Sequence, residues 1–107
     1  MARKWSHFRK VSNFLKTQAG TKYPISIRRV KMPDDVDGTC EFILKPKKHF
    51  LVHIDRNLSE SYSIDVLLHE VAHAMSWGKE KDFHGYKWGI AYSKIYRIYL
   101  EEFLPDD

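Results

Sequence analysis

The sequence holds a single cysteine, Cys40. One thiol cannot make an internal disulfide framework, and it excludes a zinc cluster built from several cysteines. It also makes a reducing compartment, the cytoplasm, the expected location. No apolar run approaches the ~20 residues that a membrane-spanning helix needs, so no membrane partner is expected. The charged start Met1-Ala2-Arg3-Lys4-Trp5 leads into no apolar stretch, and no secretory signal is expected from it. Repeats, low-complexity tracts and long linkers are also missing. The 107 residues suffice for one modest core, so a single domain over residues 1–107 is expected.

Apolar residues make up 43% of the chain and charged residues 30%, an ordinary globular balance. The net charge of +4 is unevenly spread. Residues 1–56 carry 13 Lys or Arg against 5 Asp or Glu, and residues 57–107 carry 5 against 9. A basic half suits a solvated surface. It also suits weak DNA binding, with Arg3, Lys4, Arg9, Lys10, Arg28 and Arg29 as the candidate patch.

The periodicities imply an α+β order. Trp5, Phe8, Val11 and Leu15 recur at helical spacing with basic residues between them, so an amphipathic helix is expected over about residues 3–18, with Gly20 beyond its end. Three strands should follow, over Ile25–Val30, residues 40–44 and residues 50–54. The last two are separated by Lys45-Pro46-Lys47-Lys48, a hairpin-length connection. Along the last strand Phe50, Val52 and Ile54 share one face, and Leu51, His53 and Asp55 the other. Residues 64–77 are apolar on nearly every side, as a buried central helix requires, with Ser63 as its N-cap and Gly78 at its end. A final helix is expected from about Tyr86 to Phe103, carrying the stripe Trp88, Tyr92, Ile95 and Tyr99.

The buried helix contains His69-Glu70-Val71-Ala72-His73, the pattern HExxH. Histidines four residues apart stand one above the other on a helix, so both imidazoles can reach one metal ion. Glu70 lies a quarter-turn aside, where its carboxylate can reach a water on that metal. Chance alone would produce the pattern roughly 0.02 times in a chain of this length and composition. Three polar groups packed unpaired in an apolar helix would cost several kcal/mol, and a metal removes that cost. Zinc suits neutral imidazoles and lowers the pKa of its water to about 7.

A catalytic zinc site usually takes three protein ligands. In the longer pattern HExxHxxGxxH the third would stand where this chain has Lys79, and Ser76 replaces the glycine, so that class is excluded. Glu101 and Glu102 sit at the far end of the last helix. Asp82 is a nearby carboxylate. His84 follows a short loop, beside Gly85, where the last helix begins, and a tight turn there would return it over the buried helix. Tyr62, Tyr86 and Tyr92 could each offer a hydroxyl to a developing oxyanion, although Tyr92 lies on the apolar stripe and suits packing. His53 could line the cleft but suits a surface, Cys40 reads as a small strand residue, and Lys47, Lys48 and His49 read as a solvated hairpin tip.

His69-Glu70-Val71-Ala72-His73-Ala74 followed by His84-Gly85-Tyr86-Lys87-Trp88 resembles the SprT-like zincin metallopeptidases, the group that includes Spartan-type proteases of DNA–protein crosslinks. The resemblance covers about residues 60–104. It implies a zincin-like α+β fold with an edge strand beside the active-site cleft. It further implies that His69, His73 and His84 bind Zn2+ and that Glu70 is the catalytic carboxylate. The cysteine-rich zinc ribbon of many such proteins has no counterpart here, since Cys40 is alone. The expected function is zinc-dependent hydrolysis of a protein or peptide substrate, with Glu70 as general base on a zinc-bound water. The alternatives are a DNA-associated protein whose zinc is structural, closed by a fourth ligand such as Asp82 or Glu80, and a zinc hydrolase acting on a non-peptide bond.

Overall fold

The computed structural model describes residues 6–79, 81, 82 and 84–104. Trp5, Arg3, Lys4 and Glu80 lie outside the described residues. The chain runs α1 (Ser6–Gln18), β1 (Ile25–Val30), β2 (Gly38–Ile43), β3 (His49–Asp55), α2 (Glu60–Met75) and α3 (Tyr86–Phe103). It is an α+β fold of three helices and one three-stranded sheet. No helix among the described residues is long and apolar enough to cross a membrane.

Helix α1 buries Phe8, Val11, Ser12 and Leu15, one stripe at helical spacing, and leaves Arg9, Lys10, Asn13 and Lys16 in solvent. Its free N-terminal N–H groups need acceptors. The Glu60 carboxylate supplies one, taking the Phe8 N–H at 2.8 Å. Glu60 is also the first residue of α2, so this carboxylate stands at the positive ends of two helices.

The sheet order is β1-β3-β2. Strand β3 is central, parallel to β1 and antiparallel to β2, with Cys40 opposite Val52 and Ile27 opposite Val52 on the other side. Its alternation is complete: Phe50, Val52 and Ile54 are buried in the core with α2, and His49, Leu51, His53 and Asp55 are half-buried. His53 therefore projects from the sheet face away from α2 and does not line the cleft. The β2–β3 pair forms the hairpin expected around residues 45–48.

The parallel β1–β3 pair has a consequence for the site. The chain leaving β1 must pass the end of β3 to reach β2 on its far side. Residues 31–37 make that crossing. They are held where the Asp37 carbonyl accepts the Asp55 N–H at 2.8 Å and the Val30 carbonyl accepts the Arg56 N–H at 2.9 Å. The crossing loop ends in Gly38, at the start of the edge strand β2.

Helix α2 begins one turn earlier than the sequence suggested. Ser59 is its N-cap, in extended backbone, with its hydroxyl accepting the Tyr62 N–H at 3.2 Å. Ser63 lies inside the helix, fully buried, and its hydroxyl has no partner among the described residues. Both serines have capping chemistry; Ser59 takes the cap, and Ser63, one turn on, is buried beside Ile64 and Leu67 in the helix. The helix ends at Met75, and Gly78 takes the left-handed φ of +72° that turns the chain away.

Candidate metal centre

Five apolar residues, Leu67, Leu68, Val71, Ala72 and Ala74, surround the HExxH positions and seal α2 against the sheet and α1. This orients the remaining face of the helix, with Tyr62, Asp65, Val66, His69 and Glu70, toward a cleft of about 430 Å3. The crossing loop forms the other wall with Asp35, Val36 and Asp37, and Tyr92 of α3 closes one side.

His69 and His73, one turn apart, place their Nε2 atoms 3.2 Å from each other. His84 arrives from the loop before α3 and places its Nε2 3.2 Å from that of His69. The ligating atoms of all three lie within 4.8 Å of one another, a group that could hold a metal ion. Two imidazole nitrogens on one tetrahedral zinc stand roughly 3.3 Å apart, so the donor set fits that ion. The electrostatics agree with the donor role. Burial lowers the His69 pKa, aided by the His84 imidazole. Burial, then His69 and His84, lower that of His73 to about 4. Both rings are therefore neutral near pH 7, the form that binds metal.

His84 owes its place to the residue two before it. The Asp82 carboxylate accepts the His84 backbone N–H at 3.0 Å, closing a tight turn. Asp82, the sequence alternative for third ligand, thus shapes the turn and stands outside the triad. Glu101 and Glu102 are exposed in the last turn of α3, about 22 Å along the helix from its start, and take no part.

Trp88, which opens the apolar stripe of α3 and ends the His84-Gly85 motif, has a more consequential position than either suggests. Its ring centroid lies 4.9 Å from His69, 5.6 Å from His73 and 4.9 Å from His84. Its indole N–H donates to the His69 carbonyl at 3.3 Å. A tryptophan four residues after His84, opening the apolar stripe of α3, was the available signal.

Glu70 is buried beside the triad and makes no hydrogen bond among the described residues. Burial pushes its carboxyl up to about 7, a value suited to exchanging protons near neutrality. The start of β2 presses against it. A Cβ on Gly38 would stand 2.7 Å from Val66 Cγ1, 2.9 Å from the His53 carbonyl and 3.4 Å from Glu70 Cγ, so only glycine fits here.

The tyrosines separate. Tyr62 lines the cleft and donates to Asp37 Oδ2 at 2.7 Å, which raises its pKa. Tyr92 also lines the cleft, stacked on Trp88 at 5.1 Å, with its pKa raised by burial and then by Asp65. Both keep their protons near pH 7. Tyr86 is 75% exposed on the outer side of α3 and is not at the site. Cys40 is half-buried on β2; burial, then the Glu70 and Glu41 charges, push its thiol up to about 12.

Of the candidate basic patch, Arg3 and Lys4 lie outside the described residues. Arg9 and Lys16 of α1 and Arg29 of β1 border one groove, with the Arg29 guanidinium over the Phe8 ring at 5.9 Å. Arg28 points to the opposite sheet face by strand alternation. No protein-family model, curated protein or solved structure matches the chain.

Proposed function

We propose that the chain is a zinc-dependent metallopeptidase of the SprT-like kind, with a zincin-like arrangement of helices and sheet. His69, His73 and His84 would hold the zinc, and Glu70 is the catalytic carboxylate. One observation carries the reading: three imidazole Nε2 atoms converge beside a buried, unpartnered carboxylate that faces an open cleft. Zinc, when bound, supplies Lewis acidity toward a carbonyl oxygen and acidifies water.

The chain's own groups account for the rest. Glu70 takes a proton from the attacking water as the new C–O bond forms at the peptide carbonyl. It then returns that proton to the departing nitrogen as the C–N bond breaks, leaving a carboxylic acid and an amine. Its raised pKa suits both transfers. Tyr62 and Tyr92 keep hydroxyl protons at the cleft wall. Strand β2 is an edge of the sheet, which suits pairing with an extended peptide, and its first residue lies against Glu70. The cytoplasm remains the proposed location.

The test pairs metal analysis with a Glu70→Gln variant. The variant should fold and retain about one zinc per chain, yet cleave a disordered protein such as denatured casein at least ~10²-fold more slowly than wild type. Loss of zinc would make Glu70 a ligand or structural group. Full activity would remove the general-base assignment. A wild-type chain that holds zinc with a fourth protein ligand and cleaves nothing would favour the structural-zinc alternative.

A further inference from the structure

A second groove lies at the other edge of the sheet from β2. Strand β1 forms that edge, and the groove runs between it and α1 with a volume of about 190 Å3. Arg9, Ser12, Asn13 and Lys16 line it from α1, and Ile27 and Arg29 from β1. It shares no residue with the cleft, and no aspartate or glutamate lines it. Residues 9, 12, 13 and 16 make one stripe of the helix. Arg9 and Lys16 stand about 10 Å apart along the axis, close enough for both long side chains to reach one anion between them. Arg29 alternates with Ile27 on β1, and its guanidinium lies 5.9 Å from the centroid of the Phe8 ring, a contact that holds the cation at the groove. Ser12 supplies an independent mark of a ligand. It is only 6% exposed, and its hydroxyl has no hydrogen-bond partner among the described residues. A buried hydroxyl without a partner costs stability, and this one stands among cations.

We propose that this groove binds the phosphoryl group of a small molecule, either free phosphate or a phosphate monoester. Arg9, Lys16 and Arg29 bring donors and positive charge with no acceptor, and the Asn13 amide and Ser12 hydroxyl add neutral donors. A phosphoryl group is their complement, with a charge of about −1.5 to −2 at pH 7 and three strong acceptor oxygens. Each guanidinium can meet two of those oxygens at once, and the Ser12 hydroxyl donates to a third. A carboxylate has two oxygens and a single charge, so it leaves donors and charge uncompensated. Volume sets the size of the ligand. Sites for whole small molecules start at about 300 Å3. A groove of 190 Å3 takes one phosphoryl group and leaves the rest of an ester in solvent. The site makes and breaks no bond and needs no metal, so it stands apart from the peptidase reading.

The experiment titrates the chain with inorganic phosphate at constant ionic strength, chloride being the reference anion, and follows backbone amide resonances with and without zinc. Saturable shifts should gather at residues 8–16 and 27–29, be the same in both metal states, and weaken with added salt. Arg29→Gln should weaken phosphate binding by about tenfold, the loss of a charge-assisted pair. Should that variant not fold, Lys16→Gln, on the exposed surface of α1, carries the same test. Lys10→Gln and Arg28→Gln lie outside the groove and should leave binding unchanged. Ser12→Ala gives the sharpest readout. It should raise the melting temperature in chloride, because an unpartnered hydroxyl is gone, and yet weaken phosphate binding by about three- to tenfold. Glycerol phosphate distinguishes the sources: tighter binding than inorganic phosphate assigns an ester, and weaker binding assigns the free ion. No saturable shift, or shifts confined to residues around the imidazole triad, overturns the proposal. So does a Ser12→Ala variant that binds phosphate as tightly as wild type. Equal losses in Lys10→Gln and Arg9→Gln would mark a diffuse basic surface and overturn it as well.

Discussion

The Trp88 indole N–H donates to the His69 backbone carbonyl, 3.3 Å away, and ties α3 to the turn of α2 that carries a metal ligand. The same ring lies against all three imidazoles. Groups that orient ligands are commonly worth ten- to a hundredfold in metal affinity. Trp88→Phe keeps an aromatic face and deletes the N–H, so zinc affinity should fall by about tenfold with the fold retained. Trp88→Ala removes the face as well and should weaken zinc binding further. Competition with a chromogenic chelator measures both variants.

Metal binding should be coupled to stability. His69 and His73 are held neutral and the three imidazoles are held close together, an arrangement the unfolded chain does not offer. Chelation should lower the melting temperature by several degrees, the effect of about 1 kcal/mol in a domain of this size. His84→Ala should weaken zinc binding with little change in the metal-free melting temperature, because His84 is exposed while His69 and His73 are half-buried. Calorimetry with and without chelator checks both.

Gly38 admits no side chain. Its Cβ would meet Val66 Cγ1 at 2.7 Å and the His53 carbonyl at 2.9 Å, and the second contact is backbone that cannot turn aside. Gly38→Ala should destabilise by about 1–3 kcal/mol, the usual penalty of overpacking. It should also displace β2 from Glu70 and reduce peptide cleavage beyond what the stability loss explains. Denaturant unfolding and kcat/KM report the two effects.

Ser63 offers a gain. Its hydroxyl is fully buried within α2 and has no partner among the described residues. Ser63→Ala removes that desolvated group and improves helix propensity, so stability should rise by about 1 kcal/mol. Ser59→Ala, at the true N-cap, should lower it by a similar amount. Opposite signs in thermal unfolding would confirm which serine caps the helix.

Cys40 makes stability fall in alkali. Its thiol has a folded pKa of about 12 against an ordinary 9.0, so the folded state keeps a proton that the unfolded state releases. Above about pH 8.5 the unfolded chain binds fewer protons, and stability declines as pH rises. Cys40→Ala should flatten that decline between about pH 8.5 and 10. At pH 8 the native thiol should also react with a maleimide far more slowly than after unfolding, because thiolate is the nucleophile.

Short-range patterns carried much of this molecule in legible form. The stripe of Phe8, Val11 and Leu15, the alternation of Phe50, Val52 and Ile54, and the apolar run of α2 each depend on neighbours within about two turns or one strand. The positions of His69, Glu70 and His73 follow from helix geometry alone, and His84 stood out by its place before α3. Long-range arrangement had no such trace. The order β1-β3-β2 depends on which strand reaches the centre, and nothing in Ile25–Val30 encodes a parallel partner. That order sends residues 31–37 across the end of β3 and brings Asp35 and Asp37 opposite Asp65, forming an acidic wall from carboxylates that read as scattered turn and helix residues. Ser63 read as the N-cap of the buried helix, and Ser59, one turn earlier, holds that place in the fold. Asp82 and His84 both had ligand chemistry, and the turn closed by the Asp82 carboxylate decided which one met the other imidazoles. Local periodicity is written in consecutive side chains, whereas a site assembled from four elements depends on how the core packs them.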